Sequence, residues 1–350
     1  MRATLEWFLG FVASDFGDPA AGEALVGQAL GSFRALGDRW GIAAALSTRA
    51  KLAIVRGDPA AAGADAEQSL AIFAERGDRW GQLQAIEWLG AAEAATGDHG
   101  QAARLHQDGL RMAEELGLWP QAADALSWLG RSALRSGDLA QARELLERAM
   151  RLATEQSYQP GQVFAEIGLG MTARREGKLD VAEAHLRSVL RTSQRVGPEP
   201  DVAREVSASE LGFIAEQRGD PADARSWHLM SLTAAQTLGD PHAVAQALTG
   251  LAGAQALGGQ PQRAARLLGA ADTAWRSAGA SLPPGTSADV DRITAVTQRA
   301  LGAAAFAAEF QNGRRLRPEQ AELLVQTGQG RLSEPGMLGK HARWIEGPRR

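Results

Sequence analysis

Few residues of this sequence have types and spacings that could support chemistry. His99 and His106 lie seven positions apart, near enough to share one face of a helix, but neither has a His or a carboxylate four positions away to complete a metal site. The neighbouring carboxylates Glu114 and Glu115 are typical of a solvated helix surface and not of an acid–base pair. These residues therefore predict neither a metal site nor an acid–base centre.

The signatures of nucleophilic and nucleotide-dependent enzymes are missing as well. The chain has no cysteine, which excludes thiolate nucleophiles and thiolate metal sites. A G-x-S-x-G nucleophile elbow does not occur, and the string nearest to a phosphate-binding loop, Gly336–Lys340, has the wrong spacing and no following hydroxyl. We therefore expect a protein that is not an enzyme and that needs no cofactor.

Charge and hydropathy narrow the possible partners. The 350 residues carry a formal net charge of -4, which gives no broad basic surface for nucleic acid or an anionic membrane. The sequence has no uncharged apolar run of membrane-spanning length, and Met1–Gly10 lacks the pattern of a secretory signal. We expect a cytoplasmic protein without a membrane contact. Only three of the 37 basic residues are lysine, a usage typical of high-GC bacterial genomes.

The dominant feature of the chain is an internal repeat. Gly-Asp or a close relative recurs from Gly17 to Gly258 in steps of 40, 40, 40, 40, 42 and 39 residues, and a second series of helix breakers falls halfway between. Each unit therefore consists of two segments of about 16–18 residues. The segments are rich in Ala, Leu, Arg, Glu and Gln and do not alternate with a period of two, which favours helix.

The residues between the segments are typical of helix ends. Glycine is predicted to end one helix in the left-handed conformation, and the following Asp to cap the next helix. Arg76, Gly77 and Asp78 spell R-G-D, but they belong to this series, and we interpret them as a turn with a helix cap instead of an adhesion signal. The predicted caps of the first units are Asp18, Asp38, Asp58, Asp78 and Asp98.

Each unit also contains two small residues twelve positions apart. In the fourth unit these are Gly130 and Ala142, and Leu129 precedes the first of them. Small side chains that face each other let two helices approach closely. Eight positions later a large apolar residue follows, except in the seventh unit, where Asp272 interrupts the column. The other small pairs are Gly10–Gly22, Ala50–Ala62, Gly90–Ala102, Gly170–Ala182, Gly212–Ala224 and Ala252–Ala264.

This pattern resembles the tetratricopeptide repeat (TPR), here with a unit of 40 residues in place of the usual length of about 34. The resemblance extends from Met1 to about Ala280, through seven consecutive units. The closing segments Arg263–Pro284 and Arg299–Leu324 are similar to the end of the TPR region in large bacterial signalling ATPases, the LuxR-type and SARP-like transcription regulators.

The resemblance implies an all-α fold, a right-handed superhelix of about seven helical hairpins followed by a terminal helical cap. We expect the repeat array to occupy residues 1–280 and the cap residues 281–328, with cap helices at about Ser287–Phe310 and Pro318–Gln326. Residues 329–350 contain more Arg and Lys than Glu, and we expect them to form a disordered basic tail.

The resemblance also predicts a binding groove. In TPR arrays the first helix of each hairpin lines the concave surface, through positions six, three and two before the first small residue and one, four and five after it. Here many of these positions are aromatic or apolar, with an arginine cluster mid-array. The residues predicted to line a partner-binding groove are Trp7, Phe8, Phe11, Glu87, Trp88, Trp128, Arg131, Arg135, Phe164, Ile167, Met171, Arg174, Arg175 and Phe213.

Packing between neighbouring helices is the alternative for part of this set. It applies to Trp88, Trp128 and the apolar residues of the fifth unit. Packing is also the role expected for Trp40 and Trp80, which stand at helix starts beside turns.

The expected function is that of a scaffold for protein–protein interaction or effector sensing in bacterial signal transduction and transcriptional regulation. The expected partner is a protein or peptide segment, or a small effector. Nucleic acid would be contacted only indirectly, if the chain is part of a larger regulator. The alternative is a nucleic-acid-binding helical repeat or a fragment of a DNA-binding regulator, which the acidic balance of the chain disfavours.

Overall fold

The computed structural model describes residues 1–16, 19–196, 202–277 and 284–316 and residue 320. Within these ranges the chain forms sixteen α-helices and no strand. The hairpin helices are α1 (Arg2–Phe16), α2 (Pro19–Leu36), α3 (Arg39–Val55), α4 (Pro59–Glu75), α5 (Arg79–Thr96), α6 (His99–Leu116), α7 (Trp119–Ser136), α8 (Leu139–Glu155), α9 (Gln159–Arg175), α10 (Leu179–Val196), α11 (Val202–Gln217), α12 (Pro221–Leu238), α13 (Pro241–Leu257) and α14 (Pro261–Ser277). Two terminal helices follow, α15 (Pro284–Leu301) and α16 (Ala303–Gly313).

The helix ends confirm the predicted turn chemistry. The Asp78 carboxylate accepts a hydrogen bond from the backbone N–H of Gly81 at 3.0 Å and another from Trp40 Nε1 at 2.8 Å, while Gly77 has a left-handed φ of 68°. The R-G-D stretch is therefore a helix end and a cap. Asp18 lies outside the described residues. The same side-chain cap is made by Asp38, Asp58, Asp98, Asp138, Asp220 and Asp240.

The two columns of small residues lie in the hairpin interfaces, as predicted. A Cβ atom added to Gly130 would lie 2.6 Å from Leu146 Cγ and 3.3 Å from the Ala142 carbonyl oxygen, so only glycine fits there. Ala142 itself is fully buried. The fully buried alanines of the other pairs are Ala50, Ala62, Ala102, Ala182, Ala224, Ala252 and Ala264.

The first helices of the hairpins form one side of the array. Successive first helices pack against each other, from α1 on α3 through to α11 on α13, and each second helix packs between the first helices of its own and the next repeat. The inner, concave face is therefore built from α1, α3, α5, α7, α9, α11 and α13.

The cap differs from its prediction. The helix expected over Ser287–Phe310 is divided into α15 and α16 at Gly302, whose φ of 78° ends the first helix. The second expected helix, Pro318–Gln326, lies outside the described residues except for Gln320. Of the helices in the described ranges, none is both long and apolar enough to cross a membrane.

The last helix is seated on α14 by close backbone contact. A Cβ atom on Gly313 would lie 2.0 Å from the Arg266 carbonyl oxygen, so α16 and α14 touch through their main chains. Asp272, which interrupts the apolar column, forms an ion pair with Arg314 Nε at 3.2 Å. The change of residue type at this position therefore accompanies the docking of the cap.

The other cap helix returns along the concave face. α15 packs on α13 and α14 and reaches α7. Ile293 of α15 is buried in the same apolar cluster as Phe213 of α11 and Leu251 of α13. The cap helix thus fills the inner face of the later repeats, while the inner face of the earlier repeats stays open.

Candidate ligand-binding groove

The open part of the concave face contains a cavity of about 360 Å³. Its walls come from α1, α3, α5, α7 and α9, the first helices of five consecutive hairpins, with additions from α4 and from the turn before α9. The lining residues are Trp7, Phe11, Ala44, Ser47, Thr48, Lys51, Phe73, Trp80, Gln84, Glu87, Trp88, Gln121, Asp124, Trp128, Tyr158, Pro160 and Phe164. This cavity is the candidate functional site.

An aromatic cluster fixes the floor of the cavity. The Trp128 ring is stacked on His106, with centroids 5.3 Å apart and an interplanar angle of 8°, and it meets Phe164 edge to face at 5.0 Å. At the other end Trp7 packs edge to face on Trp40 at 5.4 Å, and its Nε1 donates a hydrogen bond to Thr48 Oγ1 at 3.0 Å. These contacts hold the rings in place, so the site offers a preformed apolar surface.

The His106 ring beneath Trp128 is buried. Burial lowers the pKa of this imidazole to about 4. The ring is therefore neutral near pH 7 and acts as an uncharged aromatic platform, with its Nε2 atom 3.4 Å from the Glu87 carbonyl oxygen. In the described part of the chain, no three His, Asp or Glu side chains converge in a way that could hold a metal ion.

Charged groups of both signs stand on the aromatic walls. Lys51 Nζ lies 5.8 Å above the centroid of Phe11 and 5.7 Å above that of Trp88, within reach of cation–π attraction. The Asp124 carboxylate accepts a hydrogen bond from the Tyr158 hydroxyl at 2.9 Å. The site can therefore bind an apolar group and satisfy polar atoms on either side of it.

The predicted groove residues do not all share one environment. Six of them line the cavity: Trp7, Phe11, Glu87, Trp88, Trp128 and Phe164. Phe8 lies outside the lining and is 53% exposed. Met171 packs against the cluster around Leu146. Ile167 and Phe213 are buried.

The structure corrects the expectation that Phe213 and Arg174 face an open groove. Phe213 is 1% exposed and shares its cluster with Ile293 of α15. Arg174 is 4% exposed, and its guanidinium donates to Glu210 at 2.5 Å and to Asp289 of α15 at 3.0 Å. The physical reason is that α15 covers this part of the concave face.

The other predicted arginines lie near Arg174 without sharing its ion pairs. Arg131 and Arg135 on α7 and Arg175 at the end of α9 are all partly exposed. The Arg131 guanidinium lies 5.3 Å from the centroid of Phe164, and Arg175 Nη1 donates to the Leu134 carbonyl oxygen at 3.2 Å. The cluster therefore adjoins the end of the cavity that Phe164 forms.

Sequence reasoning missed several residues that line the cavity, although the signal was present. The positions six residues before the small residue of repeats two to five hold Ala44, Gln84, Asp124 and Phe164, and all four line the cavity. Only Phe164 of this row was predicted, because the prediction selected mainly aromatic, apolar and arginine side chains at the groove positions. Trp80, expected to pack between helices, instead lines the cavity and is 37% exposed.

Comparison with known proteins supports the repeat assignment. The family profile described as "Tetratricopeptide repeat" matches residues 121–195, which span α7 to α10. No curated protein matches the sequence.

Solved structures of low sequence identity have a similar fold. NprR in complex with its cognate peptide NprX has a TM-score of 0.53 and 15% identity, over 99% of this chain and 98% of that one. The Rap conjugation gene regulator of plasmid pLS20, in complex with a Phr peptide, has a TM-score of 0.52 and 13% identity over 76% and 78% of the two chains. A Rap protein complexed with Competence and Sporulation Factor has a TM-score of 0.51 and 16% identity over 88% and 76%. The predicted all-α, TPR-like superhelical fold is confirmed.

Proposed function

We propose that this protein is a non-catalytic TPR-like scaffold that binds an extended segment of a peptide or protein partner in the cavity between α1 and α9. One observation carries the proposal. Five consecutive first helices contribute side chains to a single cavity, and the exposed surface of that cavity is rich in tryptophan and phenylalanine. Aromatic surface in a concave site is typical of a binding surface, because its burial by a partner is favourable.

The lining favours a peptide over a wholly apolar ligand. Gln84 and Gln121 bring side-chain amides, which both donate and accept hydrogen bonds and so match a peptide backbone. Lys51 adds a positive charge, and Glu87 and Asp124 add two carboxylates. A segment with one or two large apolar side chains and unpaired backbone amides would satisfy this combination.

The regulatory context is also part of the proposal. The resemblance of Arg263–Pro284 to the TPR ends of bacterial transcription regulators supports a role in bacterial signalling. Similar folds occur in a conjugation gene regulator and in NprR, each solved with a peptide. Both observations favour a peptide or protein partner in a signalling pathway.

A peptide-display selection against the purified chain tests the proposal. Selected peptides should bind the Trp128→Ala variant at least about tenfold more weakly than the wild type, since a central aromatic anchor contributes about 2 kcal/mol or more. Trp119→Ala is the matched control, because Trp119 lies on the same helix, is 42% exposed and does not line the cavity. Equal weakening by both substitutions, or by neither, contradicts binding in the cavity.

A further inference from the structure

The arginines at the end of the cavity differ in the number of carboxylates that they bind. Arg174 has two carboxylate partners, Glu210 and Asp289, at 2.5 and 3.0 Å. Although burial opposes the charged form, these two carboxylates raise the pKa of Arg174 above its usual value. Arg174 is thus a structural residue with a complete set of partners.

Arg135 is in the opposite situation. Its Nε and Nη2 atoms are shielded from solvent and have no hydrogen-bond partner among the described residues. Burial, together with the charges of Arg131 and Arg175, lowers its pKa to about 10. Two nitrogen atoms of this partly exposed guanidinium are thus shielded without an acceptor and two other guanidinium groups repel it, an arrangement that is costly in a folded protein.

The neighbours of Arg135 do not compensate its charge. Arg131 rests on the Phe164 ring and is attracted by Glu210, the carboxylate that Arg174 already binds. Arg175 donates to a backbone carbonyl and is attracted by the same Glu210 and by Asp289. Glu210 and Asp289 thus serve three of these four guanidinium groups, and Arg135 is left over.

We propose that Arg131, Arg135 and Arg175 form a subsite for an oxyanion, a carboxylate or a phosphate, carried by the ligand of the aromatic cavity. The inference rests on the proposed function, since the ligand of the cavity brings the anion. Guanidinium groups bind such anions through paired N–H donors, and a site of low dielectric strengthens these bonds. Binding would give Arg135 the acceptor that the protein itself does not supply.

The position of the subsite defines the order of groups on the ligand. Arg131 lies one helical turn after Trp128 and touches Phe164, and both aromatic residues line the cavity. An apolar side chain in the cavity therefore lies next to the anion. The ligand inferred is a segment with an acidic or phosphorylated group, or its terminal carboxylate, beside a large apolar side chain.

Thermal unfolding with small anions tests the subsite without any peptide. At matched ionic strength, inorganic phosphate or acetate should raise the Tm of the wild type relative to chloride, because an anion that binds only the folded state stabilises it. The anion that acts at the lower concentration distinguishes a phosphate source from a carboxylate source. Arg135→Gln should abolish this shift and leave the Tm in chloride unchanged or higher, since it removes a charge that other guanidinium groups repel and whose shielded Nε and Nη2 atoms have no acceptor.

Two controls keep the outcomes distinct. Arg148→Gln changes an exposed arginine on α8 and should retain the full anion-dependent shift. Trp88→Ala damages the aromatic cavity and should also retain the anion-dependent shift, because the anion binds to the arginines. The anion test uses no peptide, so its outcome is independent of the peptide selection. An anion shift that persists in Arg135→Gln, or that is absent from the wild type, overturns the subsite. A fall in Tm for Arg135→Gln in chloride overturns it as well, since it gives Arg135 a structural role.

Arginine side-chain NMR gives a second measurement that a purely structural role would not move. Titration with phosphate or acetate should shift the Nε–H signals of Arg131 and Arg135 and leave that of Arg148 in place. Uniform small shifts of all three signals would mean general ionic screening and would contradict the subsite.

Discussion

Arg131 rests on the Phe164 ring and is attracted by the charge of Glu210 without a hydrogen bond to it, so its substitution removes little that holds the fold together. The Arg131→Glu variant should keep the helical CD signal of the wild type. It should weaken binding of the selected peptides by tenfold or more, because a carboxylate replaces a cation beside the ligand's anion. Isothermal titration with one selected peptide measures the effect. Unchanged affinity in Arg131→Glu would contradict an anionic group on the ligand.

Glu205 makes stability depend on pH. Its buried carboxylate accepts a hydrogen bond from Ser231 at 2.7 Å, yet burial raises its pKa to about 7, assisted by the charges of Asp240 and Glu210. Between the ordinary pKa of 4.5 and about 7 the folded state therefore binds more protons than the unfolded state. The free energy of unfolding falls as pH rises through this window, and the loss is complete above it.

Glu205→Gln should remove this dependence. Glutamine keeps an oxygen acceptor for Ser231 and cannot ionise, so the variant should be more stable than the wild type at pH 8, by up to about 3 kcal/mol. The two proteins should converge near pH 4. Urea unfolding at several pH values measures the difference. Burial also lowers the pKa of His106 and His228, but their contributions cancel because both proteins retain these residues. Glu147→Gln, an exposed site, is the control, and a difference that stays constant with pH would refute the assignment.

Ala142 tests the hairpin interface. The residue is fully buried opposite Gly130, and Ala142→Leu should lower the free energy of unfolding by about 1–3 kcal/mol through overpacking. Ala140→Leu adds the same atoms to an exposed position of the same helix and should change stability little. Chemical denaturation compares the two variants. If they are equally stable, the small-residue column does not set the helix separation.

At the scale of elements, α15 depends on a buried ionic network. Asp289 binds Arg174 of α9 and also accepts from Arg292 at 3.0 Å, while Arg292 forms an ion pair with Glu216 of α11. Glu216 is buried, and burial raises its pKa despite that partner. The network therefore joins one cap helix to two inner helices of the array.

Removing one carboxylate should loosen that helix. Asp289→Ala leaves Arg174 and Arg292 each with one partner fewer, and breaking a buried ion pair typically costs about 3–5 kcal/mol. Hydrogen exchange should become faster in α15 and stay unchanged in α3 and α5. Asp291→Ala is the control, because Asp291 lies two positions after Asp289 on the same helix and is exposed. Equal exchange rates in both variants would mean that apolar packing alone holds α15.

The local elements could be predicted from the sequence, and the docking of α15 could not. Caps, glycine ends and small-residue pairs recur with each repeat, so seven copies reinforce one another. The contact between Arg174 and Asp289 joins residues 115 positions apart and occurs once. Periodicity carries no information about such a contact. For the same reason, the sequence could predict which positions of each first helix face the groove. It could not predict at which repeat α15 begins to cover them.

At the scale of the whole molecule, the array should be divisible. Repeat stability is a sum of local and nearest-neighbour contributions, and every residue that lines the cavity lies between Trp7 and Phe164. A chain that ends at Pro198 should therefore keep a cooperative helical melt at a lower temperature. It should also bind the selected peptides through the aromatic cavity. CD and titration measure both properties, and an unfolded product would contradict the modular description.

The returning cap helix ties distant repeats of the superhelix together. α15 contacts α7, α9, α11 and α13, so it links four repeats across the inside of the coil. A second contact joins an early repeat to a late one: a Cβ atom on Gly57, in the turn after α3, would lie 2.9 Å from Asp240 Oδ1 and 2.9 Å from Pro241 Cδ at the start of α13. The superhelix is therefore closed on itself at two places, and its early and late repeats restrain one another.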